Sequence, residues 1–176
     1  MKNTSPGNVK GLSVNHAGIV LANSYIPSLF ERTGLTTNGK FPDSVNQHRA
    51  VCYLQFMVTG MDNIDNNSPS LSKLLCGLSP LEVINEDFNI PEEHIHLING
   101  LITAMIGYWP AIGRSSIDGF RGNWFERDGV LSQLEDKWEL TVTKRAYDIL
   151  LSKSPFSFSI IKYAWMDKPL HVQWVY

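Results

Sequence analysis

The sequence predicts a single α+β domain, helix-rich through its N-terminal two-thirds with a small antiparallel sheet toward the C-terminus. Three observations carry that prediction. A capped run of apolar residues at helical spacing occupies residues 44–59, a second such run fills 91–107, and beyond residue 127 the apolar pattern shortens to strict alternation.

Taken in order, residues 1–10 are polar and expected to be loose and flexible, leaving 11–176 as the one domain. Leu12-Ser13-Val14 and Ile19-Val20-Leu21 flank Asn15-His16-Ala17-Gly18, which predicts two short extended pieces about a turn, with Gly18 able to take positive φ. Asn23 or Ser24 then caps a short helix through Ile26, Leu29 and Phe30, with Pro27 tolerated in its first turn and Gly34 as its stop.

Ser44 and Gln47 stand three apart as a capping box, and Val45, Ala50, Val51, Leu54, Met57 and Val58 come after them at helical spacing up to Thr59-Gly60. Residues 50–58 are apolar except for Gln55, so this is the expected central helix, buried nearly all round. Residues 61–69 form a polar excursion. Ser68-Pro69 then opens a short helix over Leu71, Leu74, Leu75 and Cys76, closed by Gly77, and Ser79-Pro80-Leu81-Glu82 marks a further turn. The second long helix runs from Pro91 to Gly107, with Glu92 and Glu93 at its positive end and Ile95, Ile98, Leu101, Ile102, Met105 and Ile106 on one stripe. It is expected to pack against the first.

Residues 116–127 predict another short helix with Ile117, Phe120, Trp124 and Phe125 inward, weakened by Gly119 and Gly122 by about 1 kcal/mol each. Trp138, Leu140 and Val142 alternate with Glu139, Thr141 and Thr143 as a half-buried strand, and 130–134 is its hairpin partner. Residues 144–151 suit a short helix. Phe156, Phe158 and Ile160 alternate with serines as a third strand, and 170–175 supplies a fourth.

Composition narrows the function classes. A chain of 176 residues that is 43% hydrophobic and 18% charged buries a sizeable core, which excludes disordered and coiled-coil classes. With 15 Lys+Arg against 17 Asp+Glu the net charge is -2, so no long-range field draws in nucleic acid or an acidic membrane. No run approaches the ~20 apolar residues that span a bilayer, and the N-terminus lacks a signal-peptide core. The expectation is a soluble protein, cytoplasmic at synthesis, with no nucleic-acid or membrane partner. Two cysteines, Cys52 and Cys76, each inside an apolar run, fit a reducing compartment and core thiols.

Chemical motifs are sparse. His94 and His96 stand two apart on a helix, about 200° from one another, and cannot share one ion there; a metal would need Glu92 with His96 and further ligands. Asp62, Asp65, Asn66 and Asn67 lack the spacing and closing Glu of an EF-hand loop. No G-x-S-x-G, G-x-G-x-x-G or P-loop occurs, and the carboxylate pairs 92/93 and 135/136 sit at a helix start and a hairpin tip. No catalytic, cofactor or metal site is expected. Arg49, ahead of an apolar run, and Asp148, inside Ala146-Tyr147-Asp148-Ile149-Leu150, are costly to bury alone and need structural partners, each other included. Trp165, Met166, Leu170 and Trp174 make the C-terminal stretch rich in large apolar side chains. They are either tied into the sheet or candidates for binding a protein partner.

Several strings together resemble a known family. They are Gly11-Leu-Ser-Val-Asn-His-Ala-Gly-Ile-Val-Leu, Ile26-Pro-Ser-Leu-Phe-Glu-Arg-Thr-Gly-Leu35, His48-Arg-Ala-Val51 with Thr59-Gly60, Lys73-Leu-Leu-Cys-Gly-Leu78, Tyr108-Trp109, and Gly119-Phe-Arg121 with Phe125 and Arg127. The closing strings Arg145-Ala-Tyr-Asp-Ile-Leu-Leu151, Ser159-Ile-Ile-Lys162, Trp165-Met166, Pro169-Leu170 and Val172-Gln-Trp174 are the most specific. In order, over about 11–174, the chain resembles the C-terminal domain of contractile injection system tape measure proteins.

The resemblance implies a structural or assembly protein of a phage-tail-like particle, not an enzyme, docking to the tube, the hub or baseplate, or an assembly factor. A wholly helical chain of this length spans only ~260 Å, so the expectation is not the length ruler itself but an excised terminal domain or a short relative that keeps the anchoring module. The residues alone leave two other readings open: a small hydrolase or transferase without a recognisable motif, and an effector or immunity protein of the same gene neighbourhood. A pocket with convergent ionisable groups favours the enzyme, whereas an exposed apolar patch above ~600 Å² favours docking.

Overall fold

Apolar residues buried all round, rather than on one alternating face, set the N-terminal architecture of the computed structural model, which describes residues 9–61, 69–84 and 88–176. Residues 1–8 of the polar N-terminus, and the 62–68 stretch with Asp62, Asp65, Asn66 and Asn67, lie outside the described residues. Val9 is held: its carbonyl accepts from the Gln133 N–H at 2.7 Å.

Strand β1 (Leu12–Val14) leads into a 3₁₀ segment, Ala17–Tyr25, and then helix α1 (Ile26–Arg32). Ile19-Val20-Leu21 is therefore helical, not extended. A short apolar run has no period that separates a strand from a buried helical turn, and here residues 17–22 are buried throughout. Gly18 does not take positive φ. Its role is close approach, because a Cβ there would lie 1.6 Å from the Trp124 carbonyl oxygen.

Helix α2 (Ser44–Thr59) is the central helix, with every residue from Ala50 to Val58 buried. Its cap is Asp43, one residue before the predicted Ser44. The Asp43 carboxylate accepts the Asn46 N–H at 2.8 Å, placing a negative charge at the helix's positive end. Gly60, at φ 71°, closes the helix. Helix α3 (Ser70–Leu75) ends at Gly77, also at positive φ, where a side chain would meet the Trp165 carbonyl at 2.4 Å. Helix α4 (Glu92–Tyr108) buries Ile98, Ile102 and Met105. It touches α2 through a 2.6 Å hydrogen bond shared by Tyr53 Oη and His94 Nδ1. Helix α5 (Ile117–Phe120) is a single turn that widens into a π turn, Arg121–Phe125.

The strands β2 (Gly129–Gln133) and β3 (Trp138–Val142) form the predicted antiparallel hairpin, with Leu131 opposite Leu140. After a 3₁₀ segment, Ala146–Lys153, come β4 (Ile160–Ile161) and β5 (Leu170–Gln173). The sheet order is β1-β2-β3-β5-β4. It is a mixed sheet, not the purely antiparallel one expected, because β5 lies parallel to β3 with Leu140 beside Val172. The chain between them, 143–169, is long enough for the crossover that a parallel pair requires. Phe156 and Phe158 leave the predicted third strand for aromatic packing. Phe156 meets Tyr25 and Trp109 edge-on at 6.1 and 5.9 Å, and Phe158 meets Trp174 at 5.5 Å.

One sheet face supplies buried Val14, Leu131, Leu140, Leu170 and Val172 to the core. The opposite face carries the cross-strand row Ser13, Val130, Thr141 and Gln173, exposed throughout. Helices thus cover one side only, as a two-layer α+β arrangement requires.

Candidate functional site

The strongest polar feature is buried where the π turn, the 146–153 segment and the chain end meet. Asp148 and Arg127 have fully inaccessible side chains and form a two-pronged ion pair, Arg127 Nη1 donating to Asp148 Oδ1 at 2.8 Å and Nη2 to Oδ2 at 2.7 Å. Oδ2 also accepts the Arg145 N–H at 2.9 Å and the Trp174 indole N–H at 2.9 Å. Arg127 donates further to the Thr143 carbonyl at 3.0 Å and lies over the Trp174 ring, 5.0 Å from its centroid. Burial pushes the Asp148 carboxyl's pKa up, but the hydrogen bonds from Arg127, Arg145 and Trp174, together with the Arg127 charge, outweigh it and hold the group below the usual carboxylate range. The two carboxylate oxygens carry four hydrogen bonds between them and face no solvent, so this group fastens elements together.

Arg121 performs a parallel task. It donates to the Met57 carbonyl at 3.0 Å and the Phe56 carbonyl at 3.4 Å, capping the C-terminus of α2, and reaches Asn99 Oδ1 on α4 at 3.2 Å. One buried guanidinium thereby joins both long helices to the π turn.

The remaining predicted residues take up separate places. Arg49 does not meet Asp148. Its guanidinium lies over the Phe88 ring, 4.6 Å from the centroid, and its Nε has no hydrogen-bond partner. Trp165 is half-buried against Phe30, Phe41 and Tyr163, and its indole N–H donates to the Leu75 carbonyl at 2.8 Å. Met166, Leu170 and Trp174 are buried in the core. His94 is drawn to Tyr53, whose hydroxyl is pushed up to about 12 by burial against the lowering effect of the Arg49 charge. His96 lies 3.8 Å from Glu92 on the exposed side of α4. Both cysteines are buried thiols, and burial raises the Cys76 pKa well above its ordinary value. Among the described residues no three His, Cys, Asp or Glu side chains gather into a metal site. No helix among them is long and apolar enough to cross a membrane.

A surface depression lies between α1 and α4, with about 120 Å³ of free space lined by Tyr25, Ser28, Leu29 and Arg32 on one side and Leu97 and Leu101 on the other. Sequence reasoning misses this groove, together with the structural duties of Arg121 and Arg127. The signal for the arginines is a cation set among Phe120, Trp124 and Phe125, a placement that demands partners as firmly as Asp148 does.

A sequence profile of the contractile injection system tape measure protein family matches residues 2–174, nearly the whole chain. The chain belongs to the contractile injection system tape measure protein family. Comparison with curated proteins and with solved structures found no match. The tape measure family is a structural one rather than an enzyme family. In this tape measure family member Arg121 ties α2 and α4 to the π turn, while Arg127, Arg145 and Asp148 tie the π turn and the 146–153 segment to the chain end at Trp174.

Proposed function

We propose that the domain is an assembly module of a phage-tail-like injection particle, formed in the cytoplasm and incorporated by docking to another protein component: the tube, the hub or baseplate, or an assembly factor. The family match over 2–174 carries this reading. Two features support it. The buried Arg127–Asp148 pair joins elements of the fold and faces no solvent, and the described residues fold into helices packed on a sheet rather than a rod. In this reading Met166, Leu170 and Trp174 hold the C-terminal strand in place, and the exposed edge of Trp165 is the part of that stretch available to a partner.

The test is deletion of the gene in the producing cell, with particles counted and measured by electron microscopy. Loss or misassembly of particles, restored by the intact chain, is the expected outcome. Normal particle number and length without the chain would overturn the proposal.

A further inference from the structure

Helix α4 departs from what a surface helix needs. Its core stripe, Ile98, Ile102 and Met105, is fully buried, yet the rest of the helix after His96 carries no charge to face water. A second apolar stripe, Leu97, Leu101, Ala104 and Tyr108, keeps the same helical spacing. Leu97 and Leu101 are half-buried, Ala104 is exposed, and Tyr108 is 63% exposed. Beside it, Gly100 has nothing within 4 Å of where a Cβ would stand.

The facing wall has matching geometry. Tyr25, Ser28, Leu29 and Arg32 are spaced i, i+3, i+4 and i+7, so they form one helical face, and with Leu97 and Leu101 they enclose the 120 Å³ depression. Holes of this kind, bounded by side chains of neighbouring helices, are what a knob from a further helix fills. Arg32 forms no ion pair among the described residues; Glu31 beside it is engaged with Thr36 and the Asn38 N–H.

We infer that the α1–α4 groove is the docking surface of this domain, and that its occupant is an amphipathic helix of another particle protein. That helix places an apolar side chain in the hole and a carboxylate against Arg32. The inference rests on the docking reading above and says where docking occurs. Charge complementarity selects this occupant over a second copy. A two-fold contact sets each Arg32 either against Arg32 of the other copy, when the axis runs along the groove, or at the far end by Tyr25, when the axis crosses it, and in both cases the lining offers no carboxylate. Contact through residues 97–108 alone also covers only about 18 Å by 10 Å a side, about 360 Å² in total, far below the roughly 1,200 Å² of a stable interface. The groove is therefore one anchor within a wider contact between different proteins.

Photo-crosslinking in assembled particles tests this. A photoreactive phenylalanine analogue replaces exposed Ala104 in one variant and exposed Thr141, on the opposite side of the sheet, in a second. The expected result is a crosslink from position 104 to an acidic, amphipathic helical peptide of a different particle protein, with yield cut about tenfold by Leu101→Asp or Arg32→Glu. Unchanged melting of both variants keeps a yield loss from being a folding defect. A crosslink from 104 to a second copy of the chain overturns the inference. A crosslink from 141 but not 104 also overturns it and leaves docking intact, whereas none from either site, with normal particles after gene deletion, overturns both.

Discussion

Replacing Asp148 with Asn removes one charge while keeping the side-chain shape, and the structure sets the consequences. Arg127 remains, inaccessible to water, facing a neutral amide. One Asn atom becomes a donor, so an N–H of Arg127, Arg145 or Trp174 loses its acceptor. Breaking a buried pair on one side costs about 3–5 kcal/mol. For a domain of this size each kcal/mol moves the melting midpoint by roughly 2–4 °C, so Asp148→Asn is expected to lower Tm by about 6–20 °C. Replacing both partners, Asp148→Leu with Arg127→Met, removes the stranded cation but still orphans the Arg145 and Trp174 N–H groups. The double variant is therefore expected to stay destabilised, by less than the sum of the singles, with a coupling of at least about 1.5 kcal/mol. Tryptophan fluorescence reads both quantities, Tm by thermal unfolding and the coupling by urea unfolding, since Trp174 sits on the pair. An Asp148→Asn variant within about 1 kcal/mol of the parent would refute the fastening role.

Two glycine variants should move stability in opposite directions. Gly18→Ala forces a Cβ to within 1.6 Å of the Trp124 oxygen and is expected to cost 3 kcal/mol or more, roughly the upper end for overpacking, whereas Gly100→Ala on open helix surface should gain about 0.5–1 kcal/mol in the same urea assay. Burial lowers the His16 pKa, so the unfolded chain binds its proton first; stability should be full above the ordinary 6.5 and decline as pH falls below it, a slope that His16→Leu removes. Asp148, also lowered, adds stability above its ordinary 3.8 that is lost only as pH drops through its folded value, so acid titration of urea midpoints should show a second decline in that range. Native Cys52 and Cys76 should react with a thiol reagent at least about 1,000-fold slower than in urea, as buried thiols reached by opening; labelling of the folded protein within mixing time would count against their core placement.

How much was legible in the sequence depended on whether the governing contact was local. Residues 44–59 and 91–107 each repeat an apolar position every three or four residues within one window, and 138–142 alternates, so their elements arise from their own side chains. Ile19-Val20-Leu21 carries no such period, and its helical turn is imposed by the approach of the 124–125 backbone to Gly18. The parallel placement of β5 beside β3 was hidden for a related reason. Leu170 and Val172 alternate as well in either direction, and only the crossover through 143–169 decides which. The polar centre divides along the same line. That a carboxylate within Ala146–Leu150 needs a partner is a statement about burial cost and is readable locally. Which cation answers it is not, because Arg49, Arg121, Arg127 and Arg145 are equal candidates until the chain is folded. The packing then assigns each guanidinium a separate duty: Arg121 takes the carbonyls at the end of α2, Arg145 those of Gly122 and Glu126, Arg49 the face of Phe88, and the Arg127 guanidinium is the one of these four that pairs with Asp148. A buried ion pair is in this sense an outcome of topology, and that is why substituting Asp148 probes how the two halves of the domain are joined and not the local stability of one turn.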